Sequence, residues 1–165
     1  MTRCVLVGAP GAGKTTVGRL VADALGVAFR DTDEDVERLA GKTIPDVFFE
    51  EGEAAFRGYE REAVVTALRD HDGVLALGGG AVGDADTRAD LLAHTVIWLE
   101  VSLHDAAKRV GWGPGRPMLD LNPRAKLAEL MAQRRPYYEE VATATVETTD
   151  RTPEDVAADV VRALP

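Results

Sequence analysis

Eight consecutive residues, Gly8-Ala9-Pro10-Gly11-Ala12-Gly13-Lys14-Thr15, fit the pattern G-x-x-x-x-G-K-[ST]. The chemistry of such a run is capture of a nucleoside triphosphate. Its glycines let backbone N–H groups converge on the phosphates, and a helix that follows adds the positive end of its dipole. Lys14 is the residue that reaches the β- and γ-phosphates, and Thr15 is the Mg²⁺ ligand; Gly11, Ala12, Gly13 and Thr16 complete the phosphate cradle.

Five further segments carry residues of the right types for a phosphoryl-transfer site. Asp31-Thr32-Asp33 follow an apolar run, which sets two carboxylates at a sheet edge. Asp31 suits Mg²⁺, directly or through water, because that ion prefers hard oxygen ligands. Asp33 suits acceptance or orientation of a substrate hydroxyl proton. The alternative is that these aspartates merely cap the helix carrying Val36 and Leu39. Arg57, with Glu60 three residues on, reads as a guanidinium aimed at a carboxylate, or as an ordinary helix-surface ion pair. Gly78-Gly79-Gly80 allow a ligand to come close to backbone amides, beyond what a simple turn needs. Arg109 and Arg116 flank the loop Gly111-Trp112-Gly113-Pro114-Gly115. From there they suit neutralisation of phosphate charge; their alternatives are a helix C-terminal cation and a solvated side chain. Trp112 suits packing over a ligand or anchoring that loop. In Arg134-Arg135-Pro136-Tyr137-Tyr138 one arginine is a candidate to face inward, against the alternative of a solvated face.

These residues need a frame. Apolar runs at Cys4 to Val7, Val27 to Phe29, Val74 to Leu77, Thr95 to Leu99 and Ala144 to Val146 predict strands, with helical stretches between them such as Leu20 to Leu25, ended by Gly26, and Glu60 to Leu68. Alternating strand and helix predict a mostly parallel sheet covered on both faces, with ligands beyond the carboxyl ends of its strands. The 165 residues, 45% of them hydrophobic, suffice for one domain with a substantial core. A net charge of -9 argues against a general nucleic-acid binder. No apolar stretch approaches the roughly 18 residues of a membrane span. The N-terminus runs straight into a strand without a signal-peptide pattern, so a cytoplasmic location is expected. Cys4 is the single cysteine; it excludes an internal disulfide and reads as a buried apolar filler.

Taken in order, these segments resemble the shikimate kinase family along essentially the whole chain. The resemblance rests on the phosphate loop, Asp31-Thr32-Asp33, Phe56-Arg57 with Glu60, Gly78-Gly79-Gly80, Arg116-Pro117 and the R-x-P-x-Y match that selects Arg134 over Arg135. It implies an α/β P-loop NTPase fold of the nucleoside monophosphate kinase-like type. That fold has a five-stranded parallel sheet of order 2-3-1-4-5 flanked by helices. The whole chain, residues 1–165, would form one domain, with an acceptor region near 33–61 and a lid near 110–120. The implied reaction moves the γ-phosphoryl group of ATP to the 3-hydroxyl of shikimate, with Mg²⁺, in aromatic amino-acid biosynthesis. Similarity gives Asp33, Arg57, Gly78, Gly79, Gly80 and Arg134 to shikimate, with Arg57 and Arg134 on its carboxylate. Lys14, Asp33 and Arg116 become the catalytic residues, Asp33 as base or orienter, with Arg116 on the lid. Arg109 and the segment Asp150-Arg151-Thr152-Pro153 border the base and ribose, while Phe48 and Phe56 belong to the pocket wall or to the core. A monomer that takes two small molecules, and neither nucleic acid nor membrane, is expected. Kinases of gluconate or of a nucleoside monophosphate share such a phosphate loop; a GTPase is disfavoured because the chain has no N-K-x-D run.

Overall fold

The computed structural model describes residues 1–110 and 122–165. Five strands, β1 (Cys4–Val7), β2 (Phe29–Asp31), β3 (Val74–Ala76), β4 (Val96–Glu100) and β5 (Ala144–Glu147), form one sheet in the order β2-β3-β1-β4-β5. Every pairing is parallel. Parallel strands need helical crossovers, and these bury both faces of the sheet. Successive residues of a strand accordingly divide between two cores. Cys4, Leu6, Ile97 and Leu99 face the core formed with helices α1 (Lys14–Leu25), α6 (Leu103–Arg109) and α8 (Pro153–Ala163). Val5, Val7, Val96 and Trp98 face the core formed with α4 (Glu53–Asp70), α5 (Ala85–Leu91) and α7 (Pro123–Val141). Burial of Cys4 at 0% exposure pushes its thiol up to about 11, as an apolar filler requires.

A third, smaller core lies under the acceptor side. Helices α2 (Thr32–Ala40) and α3 (Ile44–Glu50) pack on the start of α4 through Val36, Val47, Phe56 and Ala63. Phe48 packs against this cluster with its ring 4.7 Å from that of Phe56. Both phenylalanines thus do core work at this point. Among the described residues no helix is long and apolar enough to cross a membrane.

The second strand begins two residues later than the apolar run at Val27 suggests. Gly26 takes a left-handed conformation at the end of α1, with φ 67°, and the Val27 N–H donates back to the Ala22 carbonyl at 3.0 Å. That closing bond assigns Val27 to the helix terminus. In consequence Asp31 is the last residue of β2, paired with Ala76, and Asp33 stands in the first turn of α2. Helix α4 starts at Glu53, seven residues ahead of the helical stretch read at Glu60 to Leu68, so Arg57 lies inside it.

Candidate active site

The phosphate loop leaves β1 and enters α1 through two glycines in the left-handed region, Gly11 at φ 82° and Gly13 at φ 91°. A Cβ at Gly11 would stand 2.7 Å from the Ala106 carbonyl oxygen, so the loop is pressed against α6 with no room for a side chain. Lys14 Nζ donates to the Gly8 carbonyl at 2.7 Å and to the Ala9 carbonyl at 3.1 Å, which holds its ammonium over the loop. The first turn of α1 carries no acidic residue, so the positive end of the helix is not offset by a carboxylate of its own.

Asp31 does two things at once. Its Oδ1 accepts from the Asp33 N–H at 2.9 Å as the N-cap of α2, while its Oδ2 accepts from the Thr15 hydroxyl at 3.0 Å. The helix-cap and metal readings of this carboxylate are therefore compatible. Neighbouring ligand oxygens of an Mg²⁺ octahedron with bonds of about 2.1 Å lie about 3.0 Å apart. The Thr15–Asp31 oxygen pair has that spacing, and both donors are hard oxygens, so the residues fit the ion. No cluster of three or more His, Cys, Asp or Glu suited to a metal occurs among the described residues. That is compatible with Mg²⁺, which keeps waters and substrate phosphates as its other ligands.

Beside β1, strand β3 delivers the glycine turn. Because β3 lies between β2 and β1, residues 78–80 emerge between Asp33 on one side and the phosphate loop on the other. A Cβ at Gly78 would sit 2.6 Å from Asp33 Oδ1 and 3.1 Å from Glu60 Oε2. One at Gly79 would meet Pro10 Cδ at 3.2 Å, and one at Gly80 would meet Arg57 Nη1 at 2.6 Å and Arg134 Nη2 at 2.8 Å. Three glycines in a row are needed because two carboxylates, two guanidiniums and the phosphate loop all crowd the same turn.

The charges around this turn are held in place. Arg57 Nη1 donates to Glu60 Oε1 at 2.7 Å, and its guanidinium carbon lies 5.1 Å from the centre of the Phe56 ring. Glu60 is only 4% exposed, so this is not an ordinary surface pair. Burial raises the Glu60 carboxyl above its usual range, and Arg57 opposes that rise. Asp33 is pushed up to about 6, chiefly by burial and then by the Asp31 carboxylate, with Lys14 pulling the other way. Arg134 reaches the turn from α7, whereas its neighbour Arg135 pairs with Glu100 and Glu139, each at 3.0 Å, and lies over the Trp98 ring. Arg57, Glu60, Gly80 and Arg134 line a cleft of about 550 Å³, which also takes in Glu53, Lys126 and Tyr137.

A second cavity, of about 200 Å³, opens on the far side of the phosphate loop. Ala12, Gly13, Thr16, Arg109 and Arg151 line it together with Thr148, Pro153 and Val156. Arg109 bridges its floor: Nη1 donates to the Gly11 carbonyl at 3.2 Å and Nη2 to the Thr148 carbonyl at 3.1 Å. Arg151 is committed to α8, donating to Asp159 at 2.6 Å. Thr148 and Val156 line this cavity although nothing in the sequence singles them out, since a strand end and an amphipathic helix carry no chemical signature. Arg116, Trp112 and the expected lid lie outside the described residues.

The sequence profile of the shikimate kinase family matches residues 10–165 of the chain. A shikimate kinase of Salinispora arenicola is 61% identical over 161 residues, covering 98% of this chain and 96% of its own. One from Thermobifida fusca is 55% identical, covering 98% and 94% respectively. Among solved structures, the shikimate kinase of Acinetobacter baumannii in complex with shikimate superposes with a TM-score of 0.93 at 39% identity, over 96% of this chain and 90% of that one.

Proposed function

The chain belongs to the shikimate kinase family, and from that premise we propose how its residues carry out the family's reaction. That reaction is transfer of the γ-phosphoryl group of ATP to the 3-hydroxyl of shikimate, giving shikimate 3-phosphate and ADP on the way to the aromatic amino acids. The observation that carries the residue assignment is the crowding of Asp33, Arg57 and Arg134 around one glycine turn that also abuts the phosphate loop. Two guanidiniums that converge on the space a Gly80 side chain would take suit the two oxygens of a carboxylate, and bidentate geometry is what Arg provides. The shikimate carboxylate therefore lies between Arg57 and Arg134, and its ring hydroxyls face Asp33 and the phosphate loop.

ATP lies with its phosphates on Gly11 to Thr16 and its base in the cavity between Arg109 and Arg151. Lys14 swings from the Gly8 and Ala9 carbonyls onto the β- and γ-phosphates. Thr15 and Asp31 hold Mg²⁺, which when bound neutralises phosphate charge. Asp33 accepts the hydrogen bond of the 3-hydroxyl and aims its oxygen at the γ-phosphorus. In a loose transition state the acceptor proton leaves late, so Asp33 acts first as an orienter. Positioning and charge neutralisation supply most of the rate. The protein works as a cytoplasmic monomer on these two small molecules, without nucleic acid or membrane, and light scattering checks its oligomeric state.

ADP release is assayed separately with shikimate, gluconate and AMP as acceptors, in the parent protein and in Arg134→Ala. Turnover with shikimate alone is expected, with the shikimate KM in the variant raised about a hundredfold, as befits loss of a charge-assisted bidentate contact. Equal effects on the KM of ATP and of shikimate would remove Arg134 from the carboxylate grip.

A further inference from the structure

Tyr138, which closes the R-x-P-x-Y run, has no part in the mechanism above. It is 2% exposed and stacks on Trp98 of β4 with ring centroids 5.7 Å apart. Its hydroxyl donates to the Gly79 carbonyl at 2.6 Å. Standing four residues after Arg134, it shares that residue's helix face, and the Arg134 guanidinium lies beside the same hydroxyl. Burial pushes the phenol up to about 12, so it remains a donor throughout the neutral range. A second tie joins the same parts from outside the core. Arg88 of α5 donates to the Val82 carbonyl, three residues beyond Gly79, and to Glu140 of α7, each at 2.8 Å.

We infer that Tyr138 is a positioning residue for the acceptor: its hydroxyl sets the spacing between Arg134 and the Gly79–Gly80 turn before the carboxylate arrives. The inference rests on the carboxylate grip proposed above. A trans peptide is planar, with its C=O and N–H pointing in opposite directions. Pinning the Gly79 carbonyl therefore also fixes the direction of the Gly80 N–H. Two glycines have little resistance of their own to peptide rotation. The spacing is tight, since a Cβ on Gly79 would stand only 3.4 Å from Arg134 Nη1. A rotated peptide at this turn changes the grip while leaving the phosphate loop where it is.

The test compares Tyr138→Phe, Arg88→Gln and Arg134→Ala with the parent protein, measuring kcat and the KM of each substrate, and shikimate binding by calorimetry. Tyr138→Phe is expected to raise the shikimate KM about five- to tenfold, the worth of one buried hydrogen bond, with kcat and the ATP KM held within about twofold. Arg88→Gln is expected to move the shikimate KM the same way by about threefold. A Tyr138→Phe protein with an unchanged shikimate KM, or with both KM values rising in step, overturns the inference. If Tyr138→Phe fails to fold, Arg88→Gln decides by the same criteria. Arg134→Ala separates the two failures. An unchanged shikimate KM there sinks the grip itself, whereas a large rise there without one in Tyr138→Phe sinks only the positioning role.

Discussion

Asp33→Asn is expected to stop turnover and yet to stabilise the protein. In the folded chain the Asp33 carboxyl titrates at about 6 rather than at its ordinary 3.8, because burial and the Asp31 carboxylate disfavour the anion. A carboxyl whose folded pKa is raised contributes stability below pH 3.8 and loses it as pH rises through about 6. Above that window the ionised group costs the fold up to about 3 kcal/mol. Asp33 is half-buried and its amide replacement also pays for desolvation, so about 1 to 2 kcal/mol is the expected gain for Asn at pH 7.5. For a chain of this size that gain is a rise in Tm of about 3 to 6 °C. Thermal unfolding of both proteins at pH 7.5 and pH 4.5 measures it: the variant's advantage should shrink toward zero at the lower pH, where the parent's Asp33 is protonated. In the same preparations kcat should fall by at least about a hundredfold, since an amide cannot accept the hydroxyl proton, while ATP affinity holds within about twofold. A variant less stable than the parent at pH 7.5, or an advantage that does not vary with pH, refutes the electrostatic reasoning. Undiminished turnover removes Asp33 from the mechanism.

Gly80→Ala offers a complementary separation of stability from function. Its φ of -99° suits any residue, and the atoms its Cβ would strike are the ends of the Arg57 and Arg134 side chains. The shikimate KM should rise at least about tenfold, while denaturant unfolding shifts by less than about 0.5 kcal/mol; a large loss of stability with intact affinity would contradict the geometry. Thr15→Val removes one of the two oxygens assigned to Mg²⁺ at nearly constant volume. The Mg²⁺ concentration for half-maximal activity should rise about tenfold or more, and an unaltered metal titration would take Thr15 out of the site.

Much of this protein was legible in its sequence because the determinants are local. The phosphate loop is contiguous, and its glycines act on their own backbone dihedrals, so Gly11 to Thr15 spell out a triphosphate cradle wherever the chain goes. Apolar runs marked the buried strands for the same reason, since each residue of β1 meets a core on one face or the other. Even so, Val27 was misread as strand, because an apolar side chain does not reveal that its N–H closes the preceding helix. Thr148 and Val156 were missed because their types carry no chemistry until a cavity forms beside them. The family's motifs drew Arg134 from its pair with Arg135, and only the fold supplies a physical ground. Of the two, Arg134 faces the turn, while Arg135 is taken up by Glu100 and Trp98.

By itself, then, the sequence determined what each segment is chemically able to do. What tertiary structure decided is which segments meet. Asp33, Arg57 and Arg134 come from α2, α4 and α7, and they converge because the order β2-β3-β1 brings the glycine turn after β3 out between the ends of its two neighbours. That convergence is a property of strand order. Strand order follows from how two apolar faces of a parallel sheet are covered along the whole chain, and no single stretch of residues encodes it.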